Sequence, residues 1–346
     1  MIDVGVVGFG LAGRAFHAQV IRATPGLRLA AIVQRRGNEA AEKYPDARVV
    51  HSVAELLAIR EIRLVVVATP NDTHATIARE SLEAGRDVVV DKPFATTLRE
   101  AKELVTLAKK LGRLITVYHN RRYDGDFQAI RRIVSEGTLG QIVRFETNYD
   151  RFRPELKVGA WRERDVPGAG ILFDLAPHLI DHALVLFGLP EAVTADVRVE
   201  RAAAVVDDAF DVMLHYPGAM RAVLRSTMLA ASQRPRFVLL STRGAFFKQT
   251  FDPTEINLRN GNIPEIGAWG AEPEEDWGVL TIMEKGAAVQ RRVPSVNCDY
   301  RDYYTNVRDA LLGKAELAVS PEQALNVMRI LEMARESCQK RCTIPW

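Results

Sequence analysis

Three glycines, Gly8, Gly10 and Gly13, follow directly on an apolar run near the start of the chain. The run from Ile2 to Val7 reads as a buried strand, and Arg14 to Ala23 as the helix that the turn feeds. A strand, a tight turn and a helix in that order form a phosphate cradle. Gly8 permits the sharp turn, Gly10 lets backbone approach a pyrophosphate, and Gly13 lets helix and strand pack closely. The helix start adds unpaired N–H groups and the positive end of a dipole. Phe9, Leu11 and Ala12 complete the loop and join the glycines as cofactor-binding residues. The competing reading is a glycine-rich turn without a ligand, and the strand-to-helix context argues against it.

The first 120 residues alternate strand-like and helix-like segments, which predicts a parallel sheet with crossover helices. Strands are expected at Ile2 to Val7, Leu29 to Val33, Leu64 to Ala68, Asp87 to Val90 and Leu114 to Tyr118. Helices are expected at Ala12 to Ala23, Ala40 to Tyr44, Val53 to Ala58, Thr73 to Ala84 and Leu98 to Leu111. Thr97 stands where the last helix starts, and Gly85 and Gly112 stand where C-cap glycines belong. Residues 1–120 therefore read as a doubly wound α/β dinucleotide-binding (Rossmann) domain.

After His119 to Asp124 the texture changes. A helix from Gly125 to Ser135 precedes strands at Gly140 to Tyr149, Ala192 to Arg201, Asp208 to His215, Ala219 to Leu229, Arg236 to Thr242 and Gly278 to Glu284. Short turns such as Tyr216-Pro217-Gly218 and Arg243-Gly244 join several of them, so residues 121–346 read as an α+β domain with a mostly antiparallel open sheet. The helix Gly170 to Leu186 is expected on one face. The other face needs cover, which a homodimer or homotetramer partner can supply. Tyr300 to Lys340 returns to helix.

Composition narrows the class. The 346 residues are 47% hydrophobic and 26% charged, which suits two ordinary globular domains. No apolar run approaches the roughly 18 residues that span a bilayer, and the N-terminus lacks signal-peptide features, so a cytoplasmic location and no membrane partner are expected. A formal net charge of +2, from 46 basic and 44 acidic residues, makes no electrostatic case for nucleic acid. Cys298, Cys338 and Cys342 are odd in number and clustered late, which fits reduced thiols better than a disulfide framework or a zinc site. Gly270 to Asp276 reads as a solvated acidic loop, with screening of a site or recruitment of a partner as the alternative.

Chemistry-bearing residues fall at the carboxyl ends of the predicted strands. The second strand runs into Gln34, Arg35 and Arg36 with no acid before Glu39, where NAD-binding chains place a carboxylate for the ribose 2′-hydroxyl. Two guanidiniums there suit the 2′-phosphate of NADP(H), with solvated surface arginines as the alternative. Thr69, Pro70, Asn71 and His74 lie where a nicotinamide ribose would sit, and Thr73 is a candidate N-cap. The fourth strand ends Asp91-Lys92-Pro93, which carries a lysine into the cofactor crevice or leaves it solvated. Further on, Asp174, His178 and His182 recur at i, i+4 among Ile, Leu and Phe. Buried polar partners, a divalent metal site and acid/base machinery for a carbinol and its carbonyl all remain open for this trio, and no further metal ligand is identifiable nearby.

Together, Gly8-Phe9-Gly10-Leu11-Ala12-Gly13, Ala68-Thr69-Pro70-Asn71, Lys92-Pro93 and the Asp174 to His178 spacing make the chain resemble the glucose-fructose oxidoreductase/inositol dehydrogenase/MocA (Gfo/Idh/MocA) family over essentially its full length. The resemblance implies Lys92, Asp174 and His178 as the catalytic trio. Asp91 replaces the glutamate more common before the Lys-Pro pair, and this variant looks like a subgroup that includes NADP-dependent scyllo-inositol dehydrogenases. The expected activity is NADP(H)-dependent hydride transfer to or from a secondary alcohol of a cyclic polyol or sugar. Asp91 and Pro93 are assigned with Lys92 to the cofactor site. Lys92, Arg153, Trp161, Arg162, Asp174 and His178 are assigned to substrate, with Asp181 and His182 as further candidates and no metal. A reductase of an aldose, ketosugar or other small carbonyl compound is the alternative within enzymes, and a non-catalytic NADP(H)-binding sensor the alternative outside them.

Overall fold

The strand that precedes the glycine turn is central to a six-stranded parallel sheet. The computed structural model describes residues 1–157, 159–261, 271–296 and 299–346, and the chain divides into two compact units. The first unit holds Met1–Asn120, Asp299–Met328 and the described part of Glu255–Gly267; the second holds the remainder. The first segment of this unit ends at Asn120, and the two later segments cluster with it.

The parallel sheet comprises β1 (Ile2–Val7), β2 (Leu27–Val33), β3 (Arg48–Val50), β4 (Ile62–Val67), β5 (Asp87–Val90) and β6 (Ile115–Val117), in the spatial order β3-β2-β1-β4-β5-β6. That order is the doubly wound dinucleotide topology, with its switch point between β1 and β4. The sequence predicted five of these strands. The sixth, β3, is a three-residue edge strand too short to show a period. Central strands are apolar on both faces: Val4, Val6, Val65, Val66, Val88 and Val89 are all fully buried. The helix after the glycine turn begins as a π-helical stretch, Ala12–Ala18, and becomes α-helical at Gln19–Ala23.

Local signals account for the last crossover helix, Leu98–Leu111. Thr97 and Glu100 form a capping box, and Gly112 closes the helix in the left-handed conformation at φ 61°. Thr73 behaves otherwise. Its hydroxyl bonds Thr69 Oγ1 and the Pro70 carbonyl, each at 2.7 Å, and caps no helix N–H. Later residues complete this unit: Thr116 Oγ1 donates to the Val319 carbonyl at 2.7 Å, and Tyr118 meets Tyr303 edge to face with ring centroids 4.7 Å apart.

Among the described residues of the second unit, nine strands form one sheet. They are β7 (Ile142–Asn148), β8 (Ala192–Arg198), β9 (Ala209–His215), β10 (Arg221–Thr227), β11 (Phe237–Ser241), β12 (Gly244–Lys248), β13 (Gly278–Glu284), β14 (Ala287–Val293) and β15 (Ile344–Pro345). Their order is β14-β13-β12-β11-β7-β10-β9-β8-β15. Among the described strands only the β7–β10 pairing is parallel, so the sheet is mixed and mostly antiparallel. The helix Ile171–Phe187 packs against β7, β9 and β10. Phe145, Phe210, Phe237, Leu239 and Phe246 are buried in this sheet, with Phe145 against Phe187 of the helix. Other side chains of the sheet form a ladder of ion pairs, in which Arg225 bridges Glu146 and Asp211 at 3.0 Å each and Arg198 joins Asp211 at 2.8 Å.

One expectation needs adjustment. Glu272 is not a solvated loop residue, because its side chain is buried against Lys248 at 2.7 Å. Cys338 and Cys342 are free thiols, while Cys298 and Gly270 lie outside the described residues.

Candidate active-site residues and family

Within the first unit, the glycine turn and the ends of β4 and β5 come together at the carboxyl edge of the sheet. Gly8 sits at φ 102°, and its N–H donates to the Val33 carbonyl at 3.2 Å. A Cβ at Gly8 would lie 2.5 Å from the Ala68 carbonyl oxygen, and one at Gly13 would lie 1.9 Å from the Gly8 oxygen. Neither position tolerates a side chain. Gly10 differs: it is exposed, and a Cβ there would meet nothing within 4 Å. The loop therefore offers open backbone at Gly10 on a turn locked by its other two glycines, which fits the pyrophosphate of a dinucleotide.

At the end of β2, Arg35 and Arg36 are exposed. The nearest acid along the chain, Glu39, is turned back onto the Gln34 amide, and the other end of that amide accepts the Ala40 N–H at 2.9 Å. Both members of this pair are thus engaged locally, leaving two guanidiniums as the charged groups that follow the strand. Such a terminus suits a phosphate better than a diol.

Beside the turn, Thr69 and Pro70 are half-buried and Asn71 is buried. His74 is fully buried, with Nδ1 2.8 Å from the Pro93 carbonyl oxygen and Nε2 3.0 Å from that of Thr69. Burial lowers its pKa, against the attraction of Asp91. Both ring nitrogens face backbone carbonyl oxygens, one of which the single N–H of a neutral ring serves, so His74 braces the segments after β4 and β5. Asp91 accepts the Lys92 backbone N–H at 2.8 Å. Lys92 itself is half-buried at the end of β5.

Asp174 and His178 belong to the second unit, on the helix Ile171–Phe187. Asp207 anchors the start of this helix, accepting the Leu172 N–H at 2.7 Å through its side chain and the Ile171 N–H at 2.8 Å through its carbonyl. Gly170 must be glycine there: its φ is 85°, and a Cβ would lie 2.3 Å from Asp207 Oδ1. Pro177, inside the helix, has no N–H to give the Phe173 carbonyl. Asp174 is held on both oxygens. Arg151 Nη1 donates to Oδ2 at 3.3 Å and Arg162 Nε to Oδ1 at 3.1 Å, with Arg162 also lying over the Trp161 ring at 4.5 Å. His178 is buried at 6% exposure.

The i, i+4 trio is divided by these partners. His182 donates from Nε2 to the Arg121 carbonyl at 3.1 Å and stacks on Phe127 with centroids 4.0 Å apart. Burial, assisted by Arg236, drives its pKa well below the ordinary value, so the ring is neutral. Asp181 pairs with Arg122 through two bonds of 2.7 and 2.6 Å. Both residues therefore make these contacts in the interior of the unit. Among the described residues no group of three His, Cys, Asp or Glu side chains is placed to hold a metal ion. Arg153 is exposed, and its neighbour Arg151, which the sequence did not single out, is the one that reaches Asp174. No helix among the described residues is long and apolar enough to cross a membrane.

Comparison with known proteins accords with this layout. Residues 2–119 match the oxidoreductase family with an NAD-binding Rossmann fold, and residues 127–247 match the GFO/IDH/MocA C-terminal domain. The uncharacterized oxidoreductase YdgJ of Escherichia coli is 42% identical over 99% of this chain and 98% of its own. The scyllo-inositol 2-dehydrogenase (NADP(+)) IolW of Bacillus subtilis is 37% identical over 99% of this chain and 95% of its own. The structure of yvaA from Bacillus subtilis superposes with a TM-score of 0.96 at 36% identity, covering 100% of this chain and 98% of that one. A Rossmann unit with its glycine turn, a mixed-sheet unit and full-length relatives of both kinds place the chain in the Gfo/Idh/MocA family of oxidoreductases.

Proposed function

We propose that the protein is an NADP(H)-dependent dehydrogenase acting on a secondary alcohol of a cyclic polyol or sugar, of the inositol kind. The observation that carries the cofactor choice is the end of β2, where Arg35 and Arg36 are exposed and Glu39 is tied to Gln34. The NADP-dependent name of IolW, a full-length relative, supports the same choice and the polyol class. Gly8, Phe9, Gly10, Leu11, Ala12 and Gly13 would hold the pyrophosphate, and Thr69, Pro70, Asn71, Asp91, Lys92 and Pro93 the nicotinamide end. NADP, when bound, supplies the hydride chemistry.

The chain's own residues handle protons and orientation. Lys92 donates hydrogen bonds to the substrate oxygen as it gains negative charge, and His178 takes the hydroxyl proton during oxidation and returns it during reduction. Asp174 acts differently. With its oxygens held by Arg151 and Arg162, it stays ionised and orients substrate hydroxyls while carrying no proton. Arg162, which holds that carboxylate, and Trp161, whose ring lies under its guanidinium, serve substrate binding. The broad unit-two sheet, with its ion-pair ladder, supports association into a homodimer or homotetramer. Oxidation of a panel of cyclic polyols and sugars, followed at the reduced-nicotinamide absorbance with NADP and with NAD, tests the proposal. Turnover of an inositol with NADP preferred is expected. Failure of every polyol and sugar, or a preference for NAD, overturns it.

A further inference from the structure

Behind Lys92, the first unit buries a histidine that the proposed chemistry does not use. His17 lies in the π-helical stretch after the glycine turn and is fully buried. Its Nδ1 is 2.6 Å from the Tyr304 hydroxyl, contributed by the late helix Arg301–Leu311 of the same unit. Its ring lies 4.3 Å from that of Tyr118, at the end of β6. The other nitrogen, Nε2, has no hydrogen-bond partner among the described residues and faces Asp91 Oδ1 at 3.9 Å. A histidine recruited only to fill a core has no reason to leave a buried nitrogen unbonded opposite a carboxylate.

The geometry assigns the protons. A lone pair on Nε2 would repel the carboxylate, so the proton sits there and Tyr304 donates to Nδ1. Burial, reinforced by Tyr118, Tyr303 and Asp91, raises the Tyr304 pKa well above its ordinary value and keeps the phenol a donor. Asp91 feels burial, which pushes its pKa up, but His17, Lys92 and His74 outweigh this and hold it below the usual value. His17, His74, Lys92, Tyr118, Tyr303 and Tyr304 are thus the titratable groups around this carboxyl or around its histidine.

We propose that His17 is a positioning residue: seated between Tyr304 and Asp91, it keeps the carboxylate that precedes Lys92 ionised and thereby holds a negative charge beside the lysine that serves the substrate oxygen. The proposal rests on the role given to Lys92 above. Its distinctive consequence is a pH effect. If His17 loses its N–H, Asp91 takes up a proton at higher pH, and the acidic limb of the activity profile moves up with it.

The test uses the full chain in two measurements. Carboxyl NMR with ¹³C-labelled aspartate, assigned through Asp91→Asn, follows the Asp91 titration without cofactor, and the pH dependence of kcat/KM follows the reaction. His17→Phe should move both upward by about one pH unit. His17→Gln, whose amide donates toward Asp91 and accepts from Tyr304, should restore both. Tyr304→Phe should shift them in the same direction and keeps the test alive should His17→Phe fold poorly. An Asp91 titration unmoved by both His17→Phe and Tyr304→Phe overturns the proposal. So does a titration that moves while the activity profile stays fixed. Full turnover in Lys92→Met instead removes the role of Lys92 and leaves the Asp91 titration as a separate result, so the two failures are distinguishable.

Discussion

Arg151 donates to Asp174 Oδ2 at 3.3 Å, joining the end of the segment after β7 to the helix that carries His178. Arg162 takes the other oxygen at 3.1 Å, so one carboxylate organises two guanidiniums. Asp174→Asn removes the charge that gathers them. We expect kcat/KM for the polyol to fall roughly 10- to 100-fold, mainly through KM, with a smaller loss in Arg151→Gln. The double variant should be no worse than Asp174→Asn alone. Steady-state kinetics on the three variants checks this, and additive losses would show that the two residues act separately.

Cofactor choice is testable at the end of β2. Replacing Arg35 and Arg36 together by Ala should weaken NADPH binding by roughly two orders of magnitude, from about 1–2 kcal/mol per charge-assisted hydrogen bond, and hardly change NADH. Calorimetric titration of both cofactors measures it. Tighter binding of NADH than NADPH by the native protein would remove the assignment.

Lys92→Met and His178→Phe each delete a proton-bearing group and leave the glycine turn intact. NADPH affinity should survive in His178→Phe, and turnover should fall by roughly 10² to 10⁴ in each. If the pair acts as a unit, the double variant should be little worse than the poorer single one. Near-native turnover in both single variants would show that neither residue serves the reaction.

Stability should also depend on pH through a buried carboxyl in the second unit. Burial pushes Asp252 from 3.8 up to about 6, and the neighbouring Asp126 carboxylate adds to the rise. Native Asp252 therefore keeps its proton where the unfolded chain has already released it. Its contribution to stability is complete below about pH 4 and is lost as the pH climbs to about 6. Asp126→Asn removes the neighbouring charge and should flatten this loss by about 1–2 kcal/mol, whatever its overall effect on stability. Urea unfolding at pH 4, 5, 6 and 7 compares the slopes, and identical slopes would refute it.

Much of the first unit was legible because local chemistry and tertiary structure agree there. The glycine turn, the β-rich runs and the Thr97 to Gly112 helix each carry their own punctuation. Elements without such punctuation were lost. Strand β14 reads Ala-Ala-Val-Gln-Arg-Arg-Val and is largely exposed, β15 has two residues, and β12 follows β11 too closely to separate from its turn. The site shows the same division. Asp174 and His178 were visible as ionisable groups in an apolar helix, whereas Arg151 and Asp207 gain meaning only when folding brings them to that helix. His182 carried the same sequence signal as His178. Only its stacking on Phe127 and its bond to the Arg121 carbonyl reveal it as interior.

The late segments that complete the first unit set the order in which the molecule can be made. Ribosomes release β1 to β6 first, but Tyr118 and the Thr116 hydroxyl wait for Tyr303 and Val319, and His17 waits for Tyr304. Closing those contacts spans most of the chain, a long loop that slows folding and that no N-terminal fragment can bypass. Gln19 likewise finds its partner only at the Leu258 carbonyl, 2.8 Å away. The dinucleotide unit is thus begun first and finished after strands β7 to β14 of its neighbour have been synthesised, so truncations near residue 120 should leave an aromatic seam open to solvent and to aggregation.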